Sequence, residues 1–130
     1  MANPLSAQDL LDAARRQITR YLPTEAQAAQ ATGTEIVDLR CAGDQATEGQ
    51  IPGALPIPLS VLPWRADPAS EWRDDRIADR SKKLILVCND GFSSSLAAAN
   101  LVQMGFIDVG DLAGGFRAWA AAGLPVQPTT

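Results

Sequence analysis

The stretch LILVCNDGFSSSLAAANLVQMGF, at 84–106, constrains the fold more than any other part of the chain. Leu84, Ile85, Leu86 and Val87 form a short unbroken aliphatic run ending in Cys88, as a buried strand does. Asn89, Asp90 and Gly91 then turn the chain. Ser93, Ser94 and Ser95 open an alanine-rich segment that predicts a helix over 94–104, stopped by Gly105. Similar aliphatic or β-branched runs bounded by turn residues occur at 35–40 (EIVDLR), 54–59 (ALPIPL) and 108–112 (DVGDL). A second helix is predicted over 116–122, with Gly123 as its stop and Pro125 just beyond. Strands alternating with helices imply an α/β fold. TRYL at 19–22 offers one more strand, so the expectation is a central parallel sheet of about five strands with helices on both faces.

The remaining segments fit one domain over 1–130, since 130 residues at 46% hydrophobic content suffice for one compact core and are too few for two of ordinary size. Ser6 and Asp9 form a capping box before Leu11, Ala14, Ile18 and Leu22, which share a helical face. This predicts an N-terminal helical extension at about 7–22, its helix proper at roughly 7–19. Thr24 and Gln27 suggest a second box and another helix ending near Gly33. The charged, proline-punctuated segment 64–83 reads as a surface excursion with one helical turn.

Composition excludes several functions. A net charge of −4 gives no electrostatic case for nucleic acid or anionic membrane. No apolar run reaches the length needed to span a bilayer, and the first residues lack the basic-then-apolar order of a signal peptide, so a cytoplasmic setting is expected. Two cysteines, Cys41 and Cys88, make neither a disulfide framework nor a structural zinc site; no metal or organic cofactor is expected. Histidine is absent, which removes every mechanism that needs an imidazole base.

Cys88 stands where such a fold binds ligands, at the carboxyl end of a strand and the start of a helix. A thiol there is either a small buried hydrophobe completing the strand or a thiolate nucleophile with a depressed pKa. Gly91 permits a tight turn, and Ser93, Ser94 and Ser95 supply hydroxyls and N–H groups. The loop can therefore close as a ring of donors around sulfur, although a serine-capped strand-to-helix turn has the same composition.

Four segments in order resemble the rhodanese family, the thiosulfate:cyanide sulfurtransferases, over almost the whole chain: IVDLR at 36–40, EGQIPGALPIPL at 48–59, CNDGFSS at 88–94 and GGFRAWAAAGLPV at 114–126. The resemblance implies that Cys88 accepts a sulfane sulfur as a persulfide and passes it to a thiophilic acceptor. The partners it implies are a small sulfur-containing anion, a thiol acceptor or a sulfur-acceptor protein. Asn89, Asp90, Gly91, Phe92, Ser93 and Ser94 would form the anion-binding loop. A loop counted from Cys88 to Ser93 resembles those of sulfurtransferases, whereas one residue more resembles phosphatases and arsenate reductases.

Two residues depart from the family pattern: Ser93 stands where Arg is common and Gln50 where His is usual. Asp90 is expected to point away from the sulfur. Asp38 and Arg40, at the end of a strand, are expected to form an ion pair that supports the site together with Gln50. Arg65, with Trp64, either folds over the crevice to replace the missing guanidinium or packs at the surface. Cys41 is either a resolving thiol or an ordinary loop cysteine. Trp119, Phe116 and Leu124 read as core. The rival functions are an inactive rhodanese-like binding or sensing module and a small cysteine phosphatase or arsenate reductase.

Overall fold

The computed structural model describes residues 3–129. Its centre is a five-stranded, all-parallel sheet built from β1 (Thr19–Tyr21), β2 (Glu35–Asp38), β3 (Leu55–Pro56), β4 (Lys83–Val87) and β5 (Asp108–Leu112), in the spatial order β1-β5-β4-β2-β3. The helices are α1 (Ala7–Arg15), α2 (Pro23–Ala31), α3 (Ala42–Glu48), α4 (Leu62–Ala66), α5 (Ser93–Gln103) and α6 (Gly115–Ala121).

The pleat of the strands divides the core in two, because successive side chains leave opposite faces. Leu84 and Leu86 of β4 join Val37, Ala97, Ala98, Leu101 and Val109 under α4 and α5. Ile85 and Val87 join Ile36, Leu112, Phe116 and Trp119 with α2 and α6 on the other face. Both faces are dry, which is why the central strands are aliphatic throughout rather than alternating. From β4 the chain crosses by α5 to β5 in one direction along the sheet, while from β2 it runs by α3 to β3 in the opposite direction. The connections therefore diverge between the neighbouring strands β4 and β2, leaving a crevice at their carboxyl ends. Cys88 follows β4 there.

Several elements differ from expectation. The Ser6–Asp9 capping box forms, with bonds of 3.0 and 2.9 Å, but α1 ends at Arg15, short of 19 and of 22, because Thr19–Tyr21 pairs with β5 and must be extended. α2 is not capped by Thr24 and Gln27. Pro23 occupies its first turn and Glu25 accepts the Leu22 N–H at 2.8 Å. The third strand shrinks from 54–59 to Leu55–Pro56, since two prolines interrupt its ladder. α3 has no expected counterpart. The segment 64–83 is not wholly superficial: Ala66, Asp74 and Ile77 are buried, and Arg76 beside Asp74 holds that carboxyl down at about 2.

Candidate active site

The loop from Cys88 into α5 wraps around one sulfur. Gly91 takes φ 86°, open to glycine but rare for other residues, and this turns its N–H onto Cys88 Sγ at 3.1 Å. The Ser94 N–H reaches the same atom at 3.4 Å. The thiol itself donates to Ser94 Oγ at 3.2 Å, and that hydroxyl donates on to Asp111 Oδ2 at 2.8 Å. Burial of Cys88 pushes its pKa up. The hydroxyls of Ser94 and Ser93 and the N–H groups of Ser94 and Gly91 outweigh that, holding the thiol below its ordinary value.

Asp111 was missed in the sequence and is central to the structure. It is fully buried at the end of β5 and accepts from Ser94, from Ser95 Oγ at 2.7 Å and from Arg20 Nε at 2.9 Å. When Cys88 ionises, the single Ser94 hydroxyl proton has two anionic acceptors. Ser95 and Arg20 keep Asp111 satisfied while Ser94 turns to the sulfur. Arg20 also donates to Gly91 O at 2.9 Å, and Arg15 donates to the same oxygen at 3.0 Å. No sequence pattern pointed to these two arginines, because their partners lie 71 and 76 positions away.

The far side of the loop is held by α6. Phe116 N–H donates to Cys88 O at 2.8 Å and Arg117 N–H to Asn89 O at 3.2 Å, which requires the helix start to approach closely. Gly115 makes that possible: a Cβ there would sit 2.5 Å from Cys88 O and Asn89 O. This gives a physical reason for the Gly-Gly pair before Phe116.

Other predicted residues divide into supports and outliers. Asp38 and Arg40 form the expected ion pair at 2.8 Å, buried. Arg40 also stacks on the Phe116 ring at 3.8 Å and donates to Gly49 O at 2.7 Å, so the pair braces the base of α6. Gln50 acts one step further out, donating to Gln45 Oε1 at 2.6 Å, while Gln45 donates to Arg40 O at 3.0 Å. Asn89 turns from the sulfur to Asp44, 3.0 Å away. Asp90 points outward, as expected, and pairs with Arg117 at 2.8 Å. Phe92 is exposed, and with Ser93 it lines a 300 Å³ pocket against Ala7, Gln8 and Leu11 of α1. Cys41 is exposed at the start of α3, and with Asn89 it holds the Asp44 carboxyl below its ordinary value.

Arg65 is not brought to the loop. Its guanidinium donates to Trp72 O at 2.9 Å and stands 3.7 Å from Asp74, lining a separate cavity of about 530 Å³ with Val61, Trp64 and Trp72. The buried Asp74 carboxylate draws it toward the excursion's own turn.

Comparison with known proteins agrees with this geometry. The family model of the rhodanese-like domain matches residues 22–122. A thiosulfate sulfurtransferase GlpE of Pseudomonas syringae is 40% identical over 103 residues, covering 79% of this chain and 88% of its own. A sulfurtransferase of Allochromatium vinosum is 35% identical over 91 residues, 70% of this chain and 76% of its own. A solved structure from Rhodopseudomonas palustris, a protein of unknown function and possible tyrosine phosphatase, superposes with a TM-score of 0.88 at 29% identity, covering 98% of this chain and 99% of its own. The chain belongs to the rhodanese-like domain family.

Proposed function

We propose that this rhodanese-type sulfurtransferase moves a sulfane sulfur from thiosulfate, or a related donor, to a thiophilic acceptor through a persulfide on Cys88, in a cytoplasmic setting. The observation that carries the reading is the convergence of the Gly91 and Ser94 N–H groups and the Ser94 hydroxyl on a single buried sulfur. Such an arrangement favours an anion on sulfur without an imidazole, and this chain has none. In the first half-reaction the Cys88 thiolate attacks the outer sulfur of thiosulfate. An S–S bond forms, the donor's S–S bond breaks, and sulfite leaves with the electron pair. In the second, a thiolate or cyanide attacks the outer persulfide sulfur and Cys88 leaves as thiolate. The Gly91 and Ser94 N–H groups face the Cys88 sulfur at the start and end of the cycle, where it is a thiolate, and the Ser94 hydroxyl turns onto it as it ionises.

Intact mass before and after incubation with thiosulfate tests this. The protein is expected to gain one sulfur atom, to lose that gain in Cys88→Ser and to keep it in Cys41→Ser. Loss in Cys41→Ser as well would replace the single-cysteine mechanism with a relay between thiols. A second reading, phosphate-ester hydrolysis, is raised by the naming of the Rhodopseudomonas palustris structure. Turnover of a phenyl phosphate with no persulfide would favour it.

A further inference from the structure

The family's frequent loop arginine is missing at Ser93, yet the back of the loop carries two guanidiniums that come from outside the family-matched segment. Arg15 is the last residue of α1 and Arg20 lies in β1, both ahead of residue 22. Both donate to one acceptor, Gly91 O, at 3.0 and 2.9 Å. Gly91 is the residue whose N–H binds the sulfur, and its positive φ is easily lost in a glycine unless something holds it.

The two arginines differ in electrostatic state. Around the loop, among the described residues, Arg20 is paired with Asp111, Arg40 with Asp38, and Arg117 with both Asp90 and Glu48, while Asp44 is bonded to Asn89. Arg15 has only neutral partners: Gly91 O, Ser95 Oγ at 3.2 Å, and the Phe92 ring, whose centroid is 5.8 Å from its Cζ. Its charge is thus uncompensated by a carboxylate, half-buried against the loop and less screened than a surface cation. The net charge of −4 would repel anionic donors, so an attraction at the site has to be local.

We propose that Arg15 is a positioning residue that gives the Cys88 loop a preference for anionic sulfur donors, supplying from α1 the positive charge that Ser93 does not. It acts through Gly91, whose N–H it keeps aimed at the sulfur, and through its field. Arg20 cannot substitute for the second role because Asp111 cancels its charge. The inference rests on the sulfurtransferase reading for its substrate, but the preference itself can be measured without sulfur transfer.

Iodoacetate and iodoacetamide differ by one negative charge, so the ratio of their alkylation rates at Cys88, taken relative to the same ratio for a free thiol, reports the local potential. In Arg15→Gln the ratio is expected to fall about three- to tenfold, the midpoint of iodoacetamide reactivity to move to higher pH, and the KM for thiosulfate to rise while a neutral dialkyl trisulfide donor is little affected. Arg15→Lys should retain most of the ratio. An unchanged ratio in Arg15→Gln overturns the proposal, as does equal loss in Gln and Lys variants, which would assign Arg15 to scaffolding. The wild-type protein gives an answer even if the variants fold poorly. Added salt should lower the ratio if a local cation governs it, and a rise with salt, as global repulsion alone requires, overturns the proposal. Absence of a persulfide from either donor, with the ratio intact, would instead remove the sulfurtransferase reading and leave the anion preference standing.

Discussion

At the scale of single residues the chemistry turns on how the Cys88 thiol is held below its ordinary pKa with no histidine in the chain and no metal ligand cluster among the described residues. Because the folded thiol lies below its unfolded value, its ionised form stabilises the fold fully above the pH of a free thiol, about 8.5. That contribution is lost as pH falls through the depressed folded value. Iodoacetamide should therefore alkylate Cys88 rapidly below the pH at which free cysteine responds. Ser94→Ala removes one hydroxyl from the sulfur and leaves Asp111 with one donor fewer. Its reactivity midpoint should rise, and urea unfolding should show a loss of about 1.5–3 kcal/mol, the usual size for a hydrogen bond to a charged group. A midpoint unmoved by the substitution would return the role to the backbone N–H groups alone. Cys88, Gly91 and Ser94 were legible in the sequence because thiol, turn and helix start are contiguous there. Asp111, Arg20 and Arg15 were not, since a carboxylate in a strand and two arginines near a helix end acquire meaning only once β1 pairs with β5. Arg65, by contrast, follows β3 in the chain, and its guanidinium is engaged by Trp72 O and by Asp74 of its own excursion.

Among the elements, α6 has a role beyond packing, because its first turn grips the Cys88 and Asn89 carbonyls that end β4. Gly115 combines φ 66° with a Cβ direction blocked by those same carbonyls. Gly115→Ala should cost about 2–4 kcal/mol, the left-handed penalty plus an overpacking term. Thermal unfolding should show a drop in Tm of about 10 °C. Cys88 alkylation should slow in the protein that remains folded, since the strand end must shift. Full activity and an unchanged Tm would mean that α6 can retreat without disturbing the loop. The strands and the long helix α5 were readable from aliphatic runs and stop signals. α3 was not: AGDQATE is short, polar and without a strong cap, and it is helical because Gln45, buried, bonds back to Arg40 O. The third strand is shorter than its aliphatic pattern for a related reason: Pro56 and Pro58 have no N–H to add to a ladder.

Taken whole, the molecule concentrates its function at the centre of the sheet and leaves its edges short. The site depends on residues from β4, α5, β5, α6, β1 and α1, so contacts far apart in sequence converge on one loop. At the β3 edge, Ile57 N–H points inward to Asp38 O at 2.9 Å and Leu59 N–H inward to Leu39 O at 3.3 Å. The alternate residues, whose nitrogens face the solvent side, are Pro56 and Pro58. Neither has an N–H to offer. A second chain approaching that edge to extend the sheet would find no outward donors to bond, so β3 resists templating amyloid-like assembly. A Pro56→Val, Pro58→Thr protein restores two donors. It should alkylate at Cys88 as the wild type does, yet form thioflavin-positive aggregates at concentrations where the wild type stays clear; equal clarity of the two would assign that resistance elsewhere. The same two prolines that cut the third strand to Leu55–Pro56 thus also strip that edge of outward donors, an insulated border along one side of a dry, strongly aliphatic sheet.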